Sequence, residues 1–201
     1  RIRMYSFAER GVGRSRNNAL MRATGEICLL ADEDVIYDDK YEQIIEDAFQ
    51  QNPNADIIFF NVLIRGGDRA GLTITEKKRI RYYNCLRYGS VNIAFRRMKV
   101  IKSNVFFSLL FGGGATYGHG EDSLFIWECL KKGLVIYTSP ATIADVYQEK
   151  STWFTGYNEK FLFDQGVFFG ALSKNFAVLL ILQYAVRRYR LYKNNISFID
   201  A

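Results

Sequence analysis

Two short groups of acidic residues are the part of this sequence that could perform chemistry. Asp32-Glu33-Asp34 follows a mostly apolar run over 26–31, and Glu121-Asp122 follows a glycine-rich stretch. A short apolar run with polar residues at both ends is typical of a strand buried on both faces. Side chains alternate along a strand, so Asp32 and Asp34 are predicted to face one side and to share one hard cation. The first group therefore predicts a metal site that would receive a phosphate-bearing ligand.

Both acidic groups also have a purely structural interpretation. The acids of the first group could be solvated residues that open the next turn. Glu121 and Asp122 could complement the positive end of the dipole of a helix predicted over 122–132. The chain order instead favours an α/β unit that binds a nucleotide, because a helix, a glycine and a buried strand precede the acids. One acidic pair could then hold a cation while the other takes a proton from a hydroxyl group.

Hydrophobic periodicity predicts the elements that must position these acids in the first part of the chain. We expect a strand over 1–7 and a helix over 16–24 with Ser15 as its N-cap. A helix that starts near Asp39 with a capping box should carry one apolar stripe over 41–49. A buried strand over 56–64 would follow, and the strand–helix–strand order predicts a right-handed parallel unit. In the loop after the first strand, Gly11 and Gly13 could let the backbone approach a phosphate.

The second part of the chain predicts shorter elements around a glycine-rich loop over 111–115. The predicted elements are a helix over 80–88 with Tyr82, Tyr83 and Leu86 inward, strands over 90–95, 104–110, 134–137 and 142–147, the helix over 122–132, an element that starts near Asp164, and a last helix over 175–190. His119 is the single histidine of the chain, and it stays unassigned because an isolated histidine is more often structural.

The chain has 201 residues and 49% apolar residues, which suits one globular domain or a domain with an appendage. We predict a core over 1–164 and a helical appendage over 165–201. Cys28, Cys85 and Cys129 show no metal or disulfide spacing, and no secretory signal is apparent, so a reduced, cytoplasmic protein is expected. Because residues 1–7 resemble an interior strand, we also expect a further segment before residue 1.

The net charge of +6 is concentrated toward the end of the chain. Residues 165–199 contain five basic side chains and no acid. The last predicted helix is too short to span a bilayer. It could contact a membrane surface peripherally with its arginines at the headgroups, pack on a partner or a second copy in an oligomer, or be a core helix with a solvated basic end. Nucleic-acid binding is not expected, because the segment has no recognised motif and its aliphatic stretch suits lipid or protein better.

Four segments taken together closely resemble family 2 glycosyltransferases with the GT-A fold. These segments are Gly13-Arg14-Ser15-Arg16-Asn17, Ala23-Thr24-Gly25-Glu26, Leu29-Leu30-Ala31-Asp32-Glu33-Asp34 and Gly120-Glu121-Asp122. The resemblance covers roughly residues 1–153 and implies an α/β fold with a GT-A-type, mostly parallel sheet flanked by helices. The C-terminal apolar and basic helix that would follow is predicted from the residue pattern alone. The resemblance further implies that the strand–helix–strand segment with which family members begin, and which forms most of their nucleoside pocket, is missing here.

The resemblance also implies a role for each matching residue. Asp32 and Asp34 would hold Mn²⁺ or Mg²⁺ together with the diphosphate of a nucleotide-sugar donor, with Asp34 favoured as the direct ligand. Arg16 and Asn17 would lie near the donor nucleotide. Glu121 would lie beside a sugar or lipid-linked acceptor, and Asp122 would be the general base.

The reaction implied is an inverting transfer of a sugar to an acceptor hydroxyl group, in the synthesis of a cell-surface polysaccharide or glycolipid. It would take place in the cytoplasm or at the inner face of the membrane. The alternative is a non-catalytic GT-A-like module that binds a sugar or a protein partner.

Overall fold

The computed structural model describes residues 3–65, 72–89, 92–147 and 156–193. The chain divides into two compact units, each assembled from separate segments. The sheet unit comprises Arg16–Phe106 and Phe125–Ser151, and the helical unit comprises Arg1–Ser15, Phe107–Leu124 and Thr152–Ala201. The division between a core and an appendage at residue 164 stays a prediction, and a continuous helix runs through that position.

Helices and strands alternate irregularly along the described residues. Their order is α1 (Val12–Arg22), β1 (Ile27–Leu29), β2 (Val35–Tyr37), α2 (Tyr41–Gln51), β3 (Ile57–Arg65), a 3₁₀ turn (Cys85–Arg87), β4 (Ile93–Arg96), α3 (Arg97–Lys102), α4 (Glu121–Lys131), β5 (Ile136–Tyr147), α5 (Glu159–Leu172) and α6 (Ala177–Tyr192). The predicted α/β class is confirmed.

The five strands of the sheet unit form one mixed sheet in the order β1-β4-β3-β5-β2. Among the described strands, β3 and β5 pair in parallel, whereas the other three pairings are antiparallel. The prediction of a mostly parallel sheet is therefore wrong for this part of the chain. Strand β4 lies between β1 and β3 and runs opposite to both, so the predicted β1–α2–β3 unit has parallel strands that are not neighbours.

Strand β1 is a half-buried strand, not one buried on both faces. It has only three residues, and among the described strands it pairs with β4 alone. Strand β3 lies inside the sheet between β4 and β5, and its residues 57–61 are buried. An apolar run thus identified both strands correctly, but the burial of each depends on its position in the sheet, which the run does not encode.

Helix α2 packs on one face of the sheet through the predicted apolar stripe. Ile45, Ala48 and Phe49 are buried in a cluster that includes Ile58 and Phe60 of β3. This stripe is confirmed, because residues three and four apart lie on one side of a helix. The predicted capping box does not form: no side chain caps the first turn, and Asp38 instead accepts a hydrogen bond from the N–H of Lys40 at 3.0 Å.

The opposite face of the sheet is covered by the second half of α4. The Phe95 ring of β4 lies 6.2 Å from the Phe125 ring, and both side chains are buried together with Ile126 and Cys129. The helix predicted over 122–132 is confirmed within one residue at each end, and Gly133 follows it with φ +79°, the conformation in which glycine commonly ends a helix.

The helical unit is built around α5 and α6. Leu162 of α5 and Tyr192 of α6 are buried together, and the Tyr192 hydroxyl donates to the carbonyl of Ala185 at 2.7 Å. The last helix predicted over 175–190 is confirmed as α6. Asp164 does not start an element but lies within α5, whose N-cap is Asn158. Within the described residues, no helix combines the length and apolar character that crossing a bilayer requires.

Several shorter predictions are wrong. Residues 3–7 and 104–110 form no strand, α1 begins at Val12 before the predicted cap Ser15, and the two strands predicted over 134–147 are one strand, β5. Around the 3₁₀ turn, Tyr82, Tyr83 and Leu86 are exposed, since the inward positions belong to Ile80 and Cys85. Short aromatic runs carry too little periodicity to specify which side chains face inward. Residues 1–2, 90–91 and 194–201, which the predictions also covered, lie outside the described residues.

Candidate active site

The first acidic group lies in a turn, not on a strand. Strand β1 ends at Leu29, and the N–H of Leu30 still donates to the carbonyl of Ile93 in β4 at 3.0 Å. The chain then turns over 32–35, where the N–H of Val35 approaches the Asp32 carbonyl at 3.4 Å, and enters β2. Asp32, Glu33 and Asp34 are all exposed. The predicted strand alternation therefore does not apply to Asp32 and Asp34. The two residues are instead brought near each other by their two-residue separation within one turn.

Arg16 on α1 is held against this acidic turn. Its Nη2 lies 3.3 Å from Asp32 Oδ1, and the Arg16 side chain is only 11% exposed, against 41% for Asp32. A mostly buried arginine that ends at an exposed carboxylate places a fixed positive charge at the rim of the turn. The structure thus brings together two of the predicted donor-binding residues. Asn17 is the next residue of α1 and is half-buried.

Tyr37 is a neighbour of the acidic turn that the sequence interpretation missed. Burial, followed by the nearby charge of Asp32 and by Tyr41, raises the pKa of Tyr37 to about 12. Its hydroxyl lies 3.4 Å from the carbonyl of Leu30, and its ring lies 4.7 Å from that of Tyr41. The β-branched and aromatic run over 35–37 directly after the acids is the signal that predicts this returning strand.

The second acidic group occupies the first turn of α4, as predicted. Glu121 and Asp122 are half-buried, and the N–H of Leu124 donates to the carbonyl of Gly120 at 2.9 Å. The glycine-rich loop lies directly on Glu121: a Cβ atom at Gly112 would be 2.6 Å from Glu121 Cδ and 2.6 Å from Val12 Cγ1. The absence of a side chain at Gly112 is what lets the loop approach the acidic pair this closely.

Gly13 serves packing and not phosphate binding. A Cβ atom at this position would lie 2.2 Å from the carbonyl oxygen of Ser108, so the backbone of α1 is already covered there. The N–H of the preceding Val12 donates to the Gly113 carbonyl at 2.9 Å. The start of α1 is therefore joined to the glycine-rich loop of the helical unit, which contradicts the predicted phosphate approach at Gly13.

Helix α5 anchors the residues that lead into the second acidic group. Buried Asp164 accepts a hydrogen bond from the N–H of Gly118 at 2.9 Å and two from Lys160 Nζ at 2.8 and 2.9 Å. Lys160 Nζ also lies 3.3 Å from the carbonyl of Thr116. An acid four residues after a lysine in a helical segment predicts the Lys160–Asp164 pair, but it does not predict the contact of Asp164 with Gly118.

His119 lies in the same anchored segment. Its ring stacks on Phe161 with 4.7 Å between ring centroids, and Nε2 lies 3.1 Å from Gln165 Oε1. Burial lowers the pKa of His119, although the Gln165 hydrogen bond and the Asp164 charge oppose that shift. These contacts give the histidine a structural role beside Glu121 and Asp122.

The residues present suit a cation that is shared with a diphosphate. Among the described residues, no three side chains of the His, Cys, Asp and Glu types cluster as a metal cage. Mg²⁺ in particular is usually bound by one or two carboxylates plus substrate phosphates and water, and not by a cage of protein ligands alone. Asp32 and Asp34 on one exposed turn match that donor set.

The two acidic groups belong to different compact units, since Asp32 and Asp34 lie in the sheet unit and Glu121 and Asp122 in the helical unit. Their meeting in one cleft stays a prediction, as do the roles of the individual side chains. What the structure does show is that each group has its own support, Arg16 for the first and the α5 anchor for the second.

Comparison with known proteins identifies the family. The family described as "Glycosyl transferase family 2" matches residues 1–107, which is more than half of the 201 residues. No curated protein sequence matches the chain. Among solved structures, S. aureus TarS 1-349 in complex with UDP-GlcNAc has a TM-score of 0.62 at 15% identity, covering 92% of this chain and 55% of that one.

The same protein fragment in complex with UDP has a TM-score of 0.59 at 16% identity, covering 92% of this chain and 53% of that one. The chain thus spans about half the length of these two structures. At such low identity the likeness concerns the fold, and it confirms the expected GT-A type. Together with the sequence match over residues 1–107, it leads to one conclusion: the chain belongs to glycosyl transferase family 2.

Proposed function

We propose that this chain carries the catalytic part of a metal-dependent, inverting glycosyltransferase. It would move a sugar from a nucleotide-sugar donor to an acceptor hydroxyl group in the synthesis of a cell-surface polysaccharide or glycolipid, in the cytoplasm or at the inner face of the membrane. The observation that carries the proposal is the mostly buried Arg16 side chain, whose guanidinium lies 3.3 Å from Asp32 in an exposed acidic turn of a family 2 chain.

The donor would bind at the acidic turn. Asp32 and Asp34 would hold Mn²⁺ or Mg²⁺ with the donor diphosphate, and Arg16 would offer a fixed positive charge and planar N–H donors beside it. Asn17 would contact the nucleotide. A bound cation would stabilise the negative charge that develops on the diphosphate leaving group. The UDP and UDP-GlcNAc complexes of TarS support a nucleotide-sugar donor for this fold.

The acceptor would be activated at the start of α4. Asp122 would take the proton of the acceptor hydroxyl group. At the same time, the oxygen of that hydroxyl group would form a bond to the anomeric carbon, and the bond from that carbon to the diphosphate oxygen would break. Glu121 would contact the acceptor sugar. The α5 anchor at Gly118 would hold the preceding segment still, since a base must lie within hydrogen-bond reach of the proton that it removes.

A groove in the helical unit is a candidate entrance for the acceptor. It has a volume of about 1070 Å³ and lies between α5, α6 and the segment over 116–117. Apolar side chains including Phe163 and Ile181 line it, together with polar groups of Tyr117 and Lys160. A groove of this mixed character suits a lipid-linked sugar, whose chain is apolar and whose head is polar.

Calorimetric titration tests donor binding. We expect UDP to bind the full chain only when Mn²⁺ or Mg²⁺ is present, and the affinity to fall about tenfold or more in Asp34→Asn, because the cation loses a charged ligand. Asp39→Asn is the matched control, since it removes an exposed acid on the far side of β2. Binding of UDP that is independent of metal and unchanged in Asp34→Asn would contradict the proposal; other nucleoside diphosphates are titrated in parallel to identify the base.

Turnover separates the enzyme from the non-catalytic module. Hydrolysis or transfer of a donor sugar should fall by about 10²- to 10⁴-fold in Asp122→Asn, which keeps the shape of the side chain but cannot accept the proton. Glu128→Gln on the same helix is the control, because Glu128 pairs with Lys131 at the other end of α4. Tight metal-dependent UDP binding without any turnover would favour the binding module.

A further inference from the structure

Helix α6 presents an apolar face to solvent. Five large side chains lie within about 100° of its circumference when residues are placed 100° apart. They form what we call the α6 face: Val178 (69% exposed), Leu179 (63%), Leu182 (53%), Val186 (65%) and Tyr189 (42%). Solvent-exposed apolar side chains occur singly on most proteins, but a contiguous group on one helix face marks an interaction surface.

The side of α6 next to this face packs on α5, so the orientation of the face is determined by packing. Ala185 and Tyr192 are buried, and the Tyr184 ring meets that of Phe169 with 5.7 Å between centroids. The Tyr192 hydroxyl, buried with Leu162, donates to the carbonyl of Ala185. Turning the apolar side chains inward would therefore require breaking this packed contact.

The positive charge of α6 indicates which kind of partner could cover the α6 face. The segment over 174–193 contains Lys174, Arg187, Arg188, Arg190 and Lys193 and no acidic residue. Arg187, Arg190 and Lys193 are exposed in the C-terminal half of the helix. An occupant must therefore offer both an apolar phase and negative charge.

We propose that the α6 face lies on the surface of an anionic lipid bilayer, with its apolar side chains among the acyl chains and its arginines at the headgroups. Such a bilayer supplies the two required features over one continuous surface. A second copy of the chain would bring like charges together, which opposes association. A nucleic acid would neutralise the charge but leave the apolar side chains in water. This inference does not depend on the proposed enzyme activity.

Co-sedimentation of the full chain with vesicles tests the proposal. We expect binding to vesicles of phosphatidylcholine and phosphatidylglycerol in equal amounts, and much weaker binding to pure phosphatidylcholine. Binding to the anionic vesicles should fall as salt is raised, because exposed charges are screened. Equal binding to both vesicle types, or none to either, would overturn the proposal while leaving donor binding at Asp32 and Asp34 unaffected.

Two double variants separate the apolar and the charged contributions. Leu182→Gln with Val186→Gln should lower partitioning into both vesicle types by about tenfold or more, since apolar burial is lost. Arg187→Gln with Arg190→Gln should lower partitioning into the anionic vesicles roughly 10- to 30-fold, and should leave binding to neutral vesicles unchanged. Because all four side chains are exposed, an unfolding curve should confirm that each variant folds.

Matched controls carry the same chemical changes elsewhere. Met21→Gln with Met98→Gln removes two exposed apolar side chains from α1 and α3, and Arg81→Gln with Arg87→Gln removes two exposed charges near the 3₁₀ turn. Neither control should change vesicle binding. Sedimentation-equilibrium measurements reveal the competing occupant: a dimer that is lost in Leu182→Gln with Val186→Gln would assign the face to a second copy and overturn the lipid proposal.

Discussion

The carboxylate of Asp164 accepts a hydrogen bond from the backbone N–H of Gly118, with 2.9 Å between Oδ2 and N. This contact ties α5 to the segment that leads into Glu121 and Asp122, although the two residues are 46 positions apart in the chain. Lys160 supplies the positive charge that compensates the buried carboxylate. The support of the second acidic group is therefore long-range.

Replacing Asp164 should destabilise the chain. Asp164→Ala leaves the Gly118 N–H without its acceptor and removes a side chain that is only 4% exposed, so we expect a loss of about 2–4 kcal/mol in the free energy of unfolding. Asp164→Asn should cost less, because its amide oxygen can still accept from Gly118. Urea unfolding measures both, and Glu46→Ala on the exposed side of α2 is the control, with a change within about 0.5 kcal/mol. Equal stability of Asp164→Ala and the control would refute the anchor.

His119 should make stability depend on pH. Burial lowers its pKa below the unfolded value of 6.5, so the unfolded chain binds the proton more readily than the folded chain. The stabilising contribution is fully present above pH 6.5 and is lost as the pH falls through the lower folded pKa. We expect the stability of the wild type relative to His119→Gln to decline below pH 6.5, as measured by urea unfolding at several pH values.

The chain has no other histidine, so the difference between the two stability curves reports on this one imidazole. Met98→Gln provides the comparison, because it should keep the pH dependence of the wild type. Parallel stability curves for the wild type and His119→Gln across this range would show that His119 protonation is not linked to folding.

The sequence predicted local features of the site well. The α4 start with its two acids and the α2 stripe both depend on residues within a few helical turns of each other. Helical periodicity and a glycine stop encode such features directly. The family resemblance added the roles of these residues, which periodicity cannot supply.

What the sequence could not predict depends on contacts between distant segments. The insertion of β4 between β1 and β3 determines the antiparallel pairings, and no residue pattern in β1 reveals its neighbour. The length of β1 is also a tertiary effect, because the apolar run continues to Ala31 while the strand ends at Leu29 and the chain turns away after one further hydrogen bond from Leu30. The contacts of Asp164 with Gly118 and of Gly13 with Ser108 could not be predicted for the same reason, since each joins residues far apart in the chain.

Gly112 should tolerate no side chain. Its φ of +100° is unfavourable for alanine, and the added Cβ would lie 2.6 Å from both Glu121 Cδ and Val12 Cγ1. We expect Gly112→Ala to lower the free energy of unfolding by about 2 kcal/mol or more, and to lower donor turnover because Glu121 must move. Chemical denaturation and the turnover assay measure the two effects.

Gly133→Ala is the matched control, because it measures the loss of stability that comes from the positive φ alone. Gly133 has φ +79°, but an added Cβ would meet no atom within 4 Å. Gly133→Ala should therefore lower the free energy of unfolding by about 1 kcal/mol and leave turnover unchanged. If Gly112→Ala were no more damaging than Gly133→Ala in either measurement, the close approach of the glycine-rich loop to Glu121 would have no energetic consequence.

The Arg16–Asp32 pair should be coupled in donor binding. Arg16→Ala removes a guanidinium that lies 3.3 Å from Asp32, and we expect the affinity for UDP with Mn²⁺ to fall about tenfold or more. Arg16→Lys should recover only part of it, because an ammonium group lacks the planar N–H donors. Arg22→Ala, at the exposed end of the same helix, should leave the affinity unchanged.

A double-mutant cycle separates direct contact from independent roles. If Arg16 orients Asp32, the loss in Arg16→Ala with Asp32→Asn should be smaller than the sum of the two single losses, by about 0.5 kcal/mol or more, because either change alone already breaks the pair. Calorimetric titration of the four proteins with UDP and Mn²⁺ gives the coupling energy. Strictly additive losses would mean that the two side chains act on the donor separately, and that the ion pair is incidental to binding.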